Sequence, residues 1–306
     1  MQKIIVVVGP TAVGKTSLAI KLAQQVNGQI ISGDSMQIYK EVSIGTAKAT
    51  EEEQAAASHL LINQKSVFEE YSVKDFVADA TKAIDKTIQM KKIPIICGGT
   101  GFYINALINK MQLGEPGEYE TSVEPKFEAF LAEHGSKELW QLLHEKDPQA
   151  CKKIPVENTR RVLRALTVID RTGKKFSEQQ TKITPRYDAL LIGLNSDRQL
   201  VYSRINKRVD IMMTDGLLDE AKFVFENRAK EYQVLQAIGY KEFFPYFEGE
   251  SDLTTCVNKL KQASRKYAKR QLTYFRNKLS VNWYDSLNDP AYFDKILTKV
   301  EQWQNV

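Results

Sequence analysis

The chain has 306 residues, with 43 lysines and arginines against 38 aspartates and glutamates and a formal net charge of +5. Hydrophobic residues make up 42% and charged residues 26%, the balance of a globular chain of about two domains, which excludes intrinsic disorder, collagen and small disulfide scaffolds. Cys97, Cys151 and Cys256 stand far apart, and His59, His134 and His144 form no metal-ligand spacing with them. Neither a disulfide framework nor a zinc site is expected, and a reducing compartment fits. Ile4–Val8 is too short for a signal-peptide core, and no apolar run approaches the roughly 20 residues that span a bilayer. A cytoplasmic protein with no membrane partner is expected.

Lys3–Val8 is a continuous apolar run, which suits a strand buried on both faces of a parallel sheet. Gly14–Val26 places Leu18, Leu22 and Val26 at spacing four and reads as a helix burying one stripe. Gln29–Ser32 is a second strand, and His59–Ile62 is a short candidate for a third. Val73–Met90 carries Val73, Phe76, Val77, Ala80, Ile84 and Ile88 at helical spacing and ends in Lys91-Lys92, favourable at a helix C-terminus. Ile93–Cys97 is another buried strand, closed by Gly98-Gly99. Alternation of this kind implies right-handed βαβ units and a parallel sheet. Beyond about residue 110 the pattern breaks: Gly114–Pro125 is turn-rich and acidic (Glu115, Glu118, Glu120, Glu124), and the chain to about residue 180 is helical. Ala189–Leu194 is one more core strand. Asp197–Met213, Leu217–Glu231 and Leu253–Leu279 read as helices, with a short last strand at Val281–Tyr284. The expected fold class is α/β, a phosphate-loop core with a parallel sheet flanked by helices, made of residues 1–110 and 187–306, with an all-helical insertion over 111–186.

The strongest chemical signal is G-x-x-x-x-G-K-[ST] at Gly9, Pro10, Thr11, Ala12, Val13, Gly14, Lys15 and Thr16. It follows a buried strand and opens a helix, as a phosphate loop requires. Its glycines let backbone N–H groups converge on phosphate oxygens, and the helix N-terminus adds partial positive charge. Lys15 is expected to reach the terminal phosphates and the Thr16 hydroxyl to ligate Mg²⁺. Such a loop ordinarily serves a nucleotide hydrolase or kinase, but a metal-binding Asp normally ends a second apolar strand there. Ile93–Cys97 ends instead in Gly98, Gly99, Thr100 and Gly101, which weakens an ATPase reading. Ligands in open parallel sheets lie beyond the strand C-termini, so Asp34, after the second strand, should sit near the phosphate loop. It can act as a general base or simply cap a turn, and spacing alone leaves both open. Thr100 can donate to a phosphate or leaving-group oxygen, or cap a helix.

Basic residues concentrate at Lys152, Lys153, Arg160, Arg161, Arg164, Arg171, Lys174 and Lys175, and again at Lys259, Lys261, Arg265, Lys266, Lys269, Arg270, Arg276 and Lys278. The second run holds no acid, and Tyr267, Tyr274 and Phe275 lie within it. In a chain of modest net charge, this asymmetry points to a polyanion larger than a nucleotide.

These segments, taken in order, carry a resemblance: GPTAVGKT (9–16), ISGDSMQIYK (31–40), IGTAK (44–48), YSVKDF (71–76), GGTGFY (98–103), NTRRVLRAL (158–166), AIGYKE (237–242) and SRKYAKRQLTYFR (264–276). The chain resembles the bacterial tRNA dimethylallyltransferase (tRNA isopentenyltransferase) family over nearly its whole length. The resemblance implies transfer of a dimethylallyl group from dimethylallyl diphosphate to N6 of the adenine 3′ of the anticodon, in tRNAs reading codons that begin with U. It implies that the phosphate loop, residues 9–16, holds diphosphate as a leaving group, with Mg²⁺ at Thr16. Asp34 then looks like the base that takes the N6 proton, with Thr100 assisting the leaving group and Arg208 favoured within Arg204–Arg208 to complete the clamp. Asp34, Ser35, Met36, Gln37 and Thr100 are expected to meet a flipped adenine. Asn158, Thr159, Arg160 and Arg161 of the insertion are expected to grip the anticodon stem-loop through its phosphates. A monomer is the expected state. The sequence departs from the family pattern at Ser264 (usually Thr), Tyr274 (usually Trp) and Asn63 (often Asp).

The closest alternative is an isopentenyltransferase acting on free adenine nucleotides, which has no need of a basic insertion. A small-metabolite kinase would need an arginine-bearing lid. A non-catalytic RNA-binding protein would not need intact Lys15, Thr16, Asp34 and Thr100.

Overall fold

The computed structural model describes residues 1–111, 124–178, 184–230 and 232–305. It divides into two compact units, Met1–Asn109 with Pro185–Val306, and Lys110–Thr184. The first unit is built on six strands, β1 (Lys3–Val8), β2 (Gly28–Ser32), β3 (His59–Leu60), β4 (Ile93–Cys97), β5 (Asp188–Asn195) and β6 (Asn282–Asp285). They form one sheet in the order β3-β2-β4-β1-β5-β6, with every pair parallel. The helices that precede the second unit are α1 (Lys15–Gln25), α2 (Glu51–Ala56), α3 (Val73–Gln89) and α4 (Gly101–Ile108). Inside the second unit are α5 (Pro125–His134), α6 (Ser136–Lys146), α7 (Pro148–Cys151) and α8 (Thr159–Thr172). The chain returns through α9 (Arg198–Thr214), α10 (Leu217–Glu226), α11 (Phe244–Phe247), α12 (Leu253–Lys278) and α13 (Tyr292–Gln304).

The apolar run of β1 lies at the centre, with Ile5 paired to Ile95 of β4 on one side and Leu190 of β5 on the other. Ile4 to Val8 are wholly buried, as expected for a strand covered on both faces. α1 buries Leu18, Ala19, Leu22 and Ala23 against this core. α3 starts at a capping box in which the Ser72 hydroxyl accepts from Asp75 N and the Asp75 carboxylate accepts from Ser72 N, so two free N–H groups at the helix start are satisfied.

Several boundaries differ from the sequence reading. β3 stops at Leu60 rather than Ile62 because Leu61 and Asn63 adopt left-handed backbone (φ 59° and 55°), which turns the chain away from the sheet. α10 ends at Glu226, and Arg228–Lys230 continue as a tighter 3₁₀ turn. α2 and α13 were not anticipated. The acidic segment over Glu115, Glu118 and Glu120, and Glu231, lie outside the described residues.

In the second unit, Leu139 and Leu143 of α6 pack with Val162 and Leu166 of α8 in a core of their own. Its polar anchor is Asp147, fully buried at the start of α7. The Asp147 carboxylate accepts from Ala150 N (3.1 Å), Ser177 N (2.7 Å) and the Ser177 hydroxyl (2.7 Å). Burial works to raise its pKa, and the Ser177 and Ala150 bonds outweigh it, so the carboxyl titrates below the ordinary aspartate range. A depressed carboxylate stabilises the fold above its unfolded pKa, roughly 4, and the contribution disappears as pH falls through the folded value. Asp147→Ala is therefore expected to destabilise this unit by about 3 kcal/mol at neutral pH. Denaturant melts of both proteins should show the gap narrowing below about pH 4.

Candidate active site

The C-terminal ends of β1, β2 and β4 bring three loops together. β1 runs into the phosphate loop, where Gly9 has a φ of +145° and a side chain there would meet Leu194 O at 2.4 Å. Ala12 (φ 67°) and Gly14 (φ 92°) are left-handed. Left-handed residues in succession of this kind are the backbone pattern of an anion nest. Gly14 then occupies the N-cap of α1 with no side-chain cap, so the N–H groups of the first helical turn are left for a ligand.

The other two loops meet backbone to backbone. Gly33 N donates to Cys97 O at 2.8 Å, and a Cβ on Gly98 would lie 2.3 Å from Gly33 O. Only glycine at 98 permits that approach. The contact brings Thr100 to Ser35: the Thr100 hydroxyl accepts from Ser35 N (3.1 Å) and donates to Ser35 Oγ (3.3 Å). Thr100 sits at the N-cap position of α4, yet its side chain makes no capping bond. Its hydroxyl joins the two loops instead.

Asp34 Oδ1 accepts from Met36 N at 3.0 Å, a turn-closing bond of the kind expected for Asp-Ser. The turn and the base role coexist. Burial, the largest influence, raises the Asp34 pKa above the ordinary aspartate range, opposed by the Met36 N–H and by the charge of Lys15. Lys15 is shifted the other way, lowered to about 8 by burial first and also by the like charge of Arg208, while Asp34 opposes the shift. The neighbouring Cys97 thiol is pushed up to about 12 by burial and is neutral at physiological pH.

Lys15 Nζ donates to Pro10 O at 2.7 Å within the loop. Two arginines on α9 behave differently. Arg204 Nε donates to Ala12 O (2.8 Å) and braces the loop. Arg208 is partly buried, is lowered in pKa by desolvation, and makes no ion pair or hydrogen bond among the described residues. Two partly buried cations that feel each other's charge favour a multiply charged anion.

Gln37 is committed to the framework. Its Oε1 accepts from the Ser32 hydroxyl (2.9 Å), and its Nε2 donates to Thr46 O (3.3 Å) and Ala47 O (3.2 Å). The IGTAK loop it holds is shaped by Glu220 of α10, whose carboxylate accepts from Ser43 N, Ile44 N, Gly45 N and the Tyr240 hydroxyl. The Tyr240 ring fills the space a side chain at Gly45 would need, so IGTAK and AIGYKE interlock. Lys48 is buried and donates to Tyr39 O (2.6 Å) and Asn63 Oδ1 (2.6 Å); the departure at Asn63 keeps an acceptor there.

Sequence reasoning missed two supports of the phosphate loop: Ser286, whose hydroxyl donates to Val13 O (2.9 Å), and Gln271 of α12, bonded to Thr11 N and Gly99 O. Gln271 was visible only as a neutral side chain within a cationic run. Tyr274 of the same helix covers Gly101, where a Cβ would meet its ring at 2.4 Å, and its hydroxyl accepts from Asn105 Nδ2 (3.1 Å).

Asn158, Thr159, Arg160 and Arg161 belong to the second unit. Asn158 stands at the N-cap of α8 without a capping bond, the first turn carries no acid, and Arg160 and Arg161 are exposed there. Cations at a helix N-terminus oppose its dipole, an arrangement that an external anion would relieve.

A divalent cation would find few protein ligands. Among the described residues no group of three or more His, Cys, Asp or Glu could hold one, and the Thr16 hydroxyl has no hydrogen-bond partner. Oxygen donors from a hydroxyl and from a bound phosphate compound fit a hard ion that keeps its waters.

An α/β fold that brings a phosphate-loop motif and Asp34 to the C-terminal ends of neighbouring strands fits an enzyme that handles a phosphorylated compound. The model of the IPP transferase family matches residues 37–278, and the chain belongs to that family. It is 66% identical to the tRNA dimethylallyltransferase of Lactobacillus johnsonii over 305 residues, covering all of both chains. The crystal structure of the full-length tRNA isopentenylpyrophosphate transferase of Bacillus halodurans is similar (TM-score 0.74, 40% identity), covering 100% of this chain and 99% of that one. So is that of a eukaryotic dimethylallyltransferase acting on tRNA (TM-score 0.82, 30% identity), covering 100% of this chain and 80% of that one.

Binding of inorganic diphosphate, followed by calorimetry, should weaken as pH rises past about 8, where the Lys15 ammonium loses its proton. Lys15→Met should cost about 10–100-fold in affinity and abolish that pH dependence.

Proposed function

We propose that this protein is a tRNA dimethylallyltransferase that moves a dimethylallyl group from dimethylallyl diphosphate to N6 of the adenine 3′ of the anticodon. The acceptors are tRNAs that read codons beginning with U, and the products are N6-(dimethylallyl)adenosine and diphosphate. The observation that carries the reading is the pairing of Asp34, raised in pKa, with the Lys15–Arg208 cation pair at the phosphate nest. β4 runs from Cys97 into Gly98 and Gly99 with no carboxylate, which favours a held leaving group over a cleaved nucleotide.

In the transfer, the N6 nitrogen attacks C1 of the dimethylallyl group, the C1–O bond breaks, and its electron pair leaves with diphosphate. Asp34 accepts the proton that N6 sheds. A raised pKa makes this carboxylate a stronger base than an exposed aspartate. Lys15, Arg208 and the N–H groups from Val13 to Thr16 receive the charge that grows on the departing diphosphate. The Thr16 hydroxyl would help hold Mg²⁺, which would supply further neutralisation of that charge. Thr100 and Ser35 border the acceptor pocket with Met36, while Gln37 shapes it through the IGTAK loop. An adenine stacked in its loop cannot present N6, so it enters flipped. The insertion, with Asn158 to Arg161, holds the stem-loop backbone.

The test follows label from dimethylallyl diphosphate into an unmodified anticodon stem-loop, with AMP as competing acceptor. Label is expected in RNA alone; label in AMP alone would overturn the acceptor assignment. Asp34→Asn should lower the rate by about 10²–10⁴. In the wild type the rate should climb with pH through a value above the ordinary aspartate range, a limb the variant lacks.

Removing Arg160 and Arg161 together should weaken RNA binding uniformly across sequences. The log–log salt slope of binding should become shallower by about 0.7–0.9 per arginine removed.

A further inference from the structure

Gln271 is 5% exposed, on the face of α12 that also presents Tyr267 and Tyr274 at spacings of four and three. Its amide is used at both ends. Oε1 accepts from Thr11 N at 2.9 Å, and Nε2 donates to Gly99 O at 3.0 Å. These bonds join the loop after β1 to the loop after β4. The approach is close: a side chain on Gly99 would lie 2.2 Å from Gln271 Nε2. Gly99 in turn sits beside Asp34, with 3.9 Å from its Cβ position to Asp34 Oδ2.

We propose that Gln271 is a positioning residue for the transfer, its amide fixing the phosphate loop and the Gly98–Gly101 loop at one separation. This rests on the prenyl-transfer reading above. Glutamine suits the task because a single planar group must accept from an N–H and donate to a C=O. Methionine offers neither bond, and a glutamate carboxylate offers only acceptors, so it would face Gly99 O with a second lone pair. By turning the Thr11 N–H toward α12, Gln271 leaves the N–H groups from Val13 onward for the diphosphate. By holding Gly99 O, it fixes Thr100 and Ser35 relative to that anion. A misplacement of about 1 Å in such an arrangement costs on the order of 10²-fold in rate.

The experiment compares wild type with Gln271→Met, Gln271→Glu and, as a control on the exposed side of α12, Gln262→Met. Single-turnover transfer is measured well below the melting temperature of every variant, with KM for RNA and for dimethylallyl diphosphate. Gln271→Met is expected to lose about 10–100-fold in transfer rate with the RNA KM within about twofold. Gln271→Glu is expected to recover relative to wild type as pH falls toward the carboxyl pKa, because the protonated acid regains a donor for Gly99 O. Gln262→Met should match wild type. A Gln271→Met enzyme that transfers at the wild-type rate overturns the proposal, as does a loss of rate that only tracks its unfolded fraction. If wild type itself transfers no label, the prenyl-transfer reading falls first, a result distinct from either.

Discussion

At Lys15, in the loop that follows β1, burial first and then the like charge of Arg208 work against the cationic state. Such an arrangement is costly unless an anion enters, so the surrounding fold must hold it open. The braces come from well-separated parts of the chain. Arg204 of α9 takes the Ala12 carbonyl, Ser286 beyond β6 takes the Val13 carbonyl, and Gln271 of α12 takes the Thr11 N–H. These bonds occupy two carbonyls and one N–H of the loop and fix its backbone. In the proposed transfer, preorganisation of this kind would stabilise developing charge without reorganisation at the moment of reaction.

The same principle extends to Asp34, the proton acceptor of the proposed transfer. Asp34 is placed by a glycine-to-glycine contact between Gly33 and Gly98 and kept there by the Thr100–Ser35 bonds. Behind it, the IGTAK loop is locked by Glu220 and Tyr240, and Gln37 transmits that order to the turn. The phosphate loop and Asp34 thus stand on different loops at the end of one sheet. The distance between them is set by backbone contacts, which tolerate little change in side-chain size.

The sheet and the phosphate nest were legible because their signals are local. A continuous apolar run names β1, and a glycine-rich strand-to-helix junction names the loop that follows. Asp34 and Thr100 were legible by position, since each follows a strand end. What escaped was long-range and polar. Gln271 meets Thr11 and Gly99 across 260 and 172 residues, and no periodicity announces such a bond. Glu220 caps a loop more than 170 residues earlier, and the left-handed turn at Leu61 leaves no mark in an alternation of apolar residues. The motifs that carried the family resemblance hold most of these partners, so their spacing recorded tertiary contacts that local reasoning could not decode.

The claim that the phosphate loop restrains a leaving group is tested most directly by stoichiometry. The protein would be incubated with dimethylallyl diphosphate, ATP and an unmodified anticodon stem-loop, and diphosphate, orthophosphate and prenylated adenine counted together. The account predicts one diphosphate released for each adenine modified, at the same rate with ATP omitted, and no orthophosphate. Orthophosphate formed from ATP, with RNA left unmodified, would contradict it.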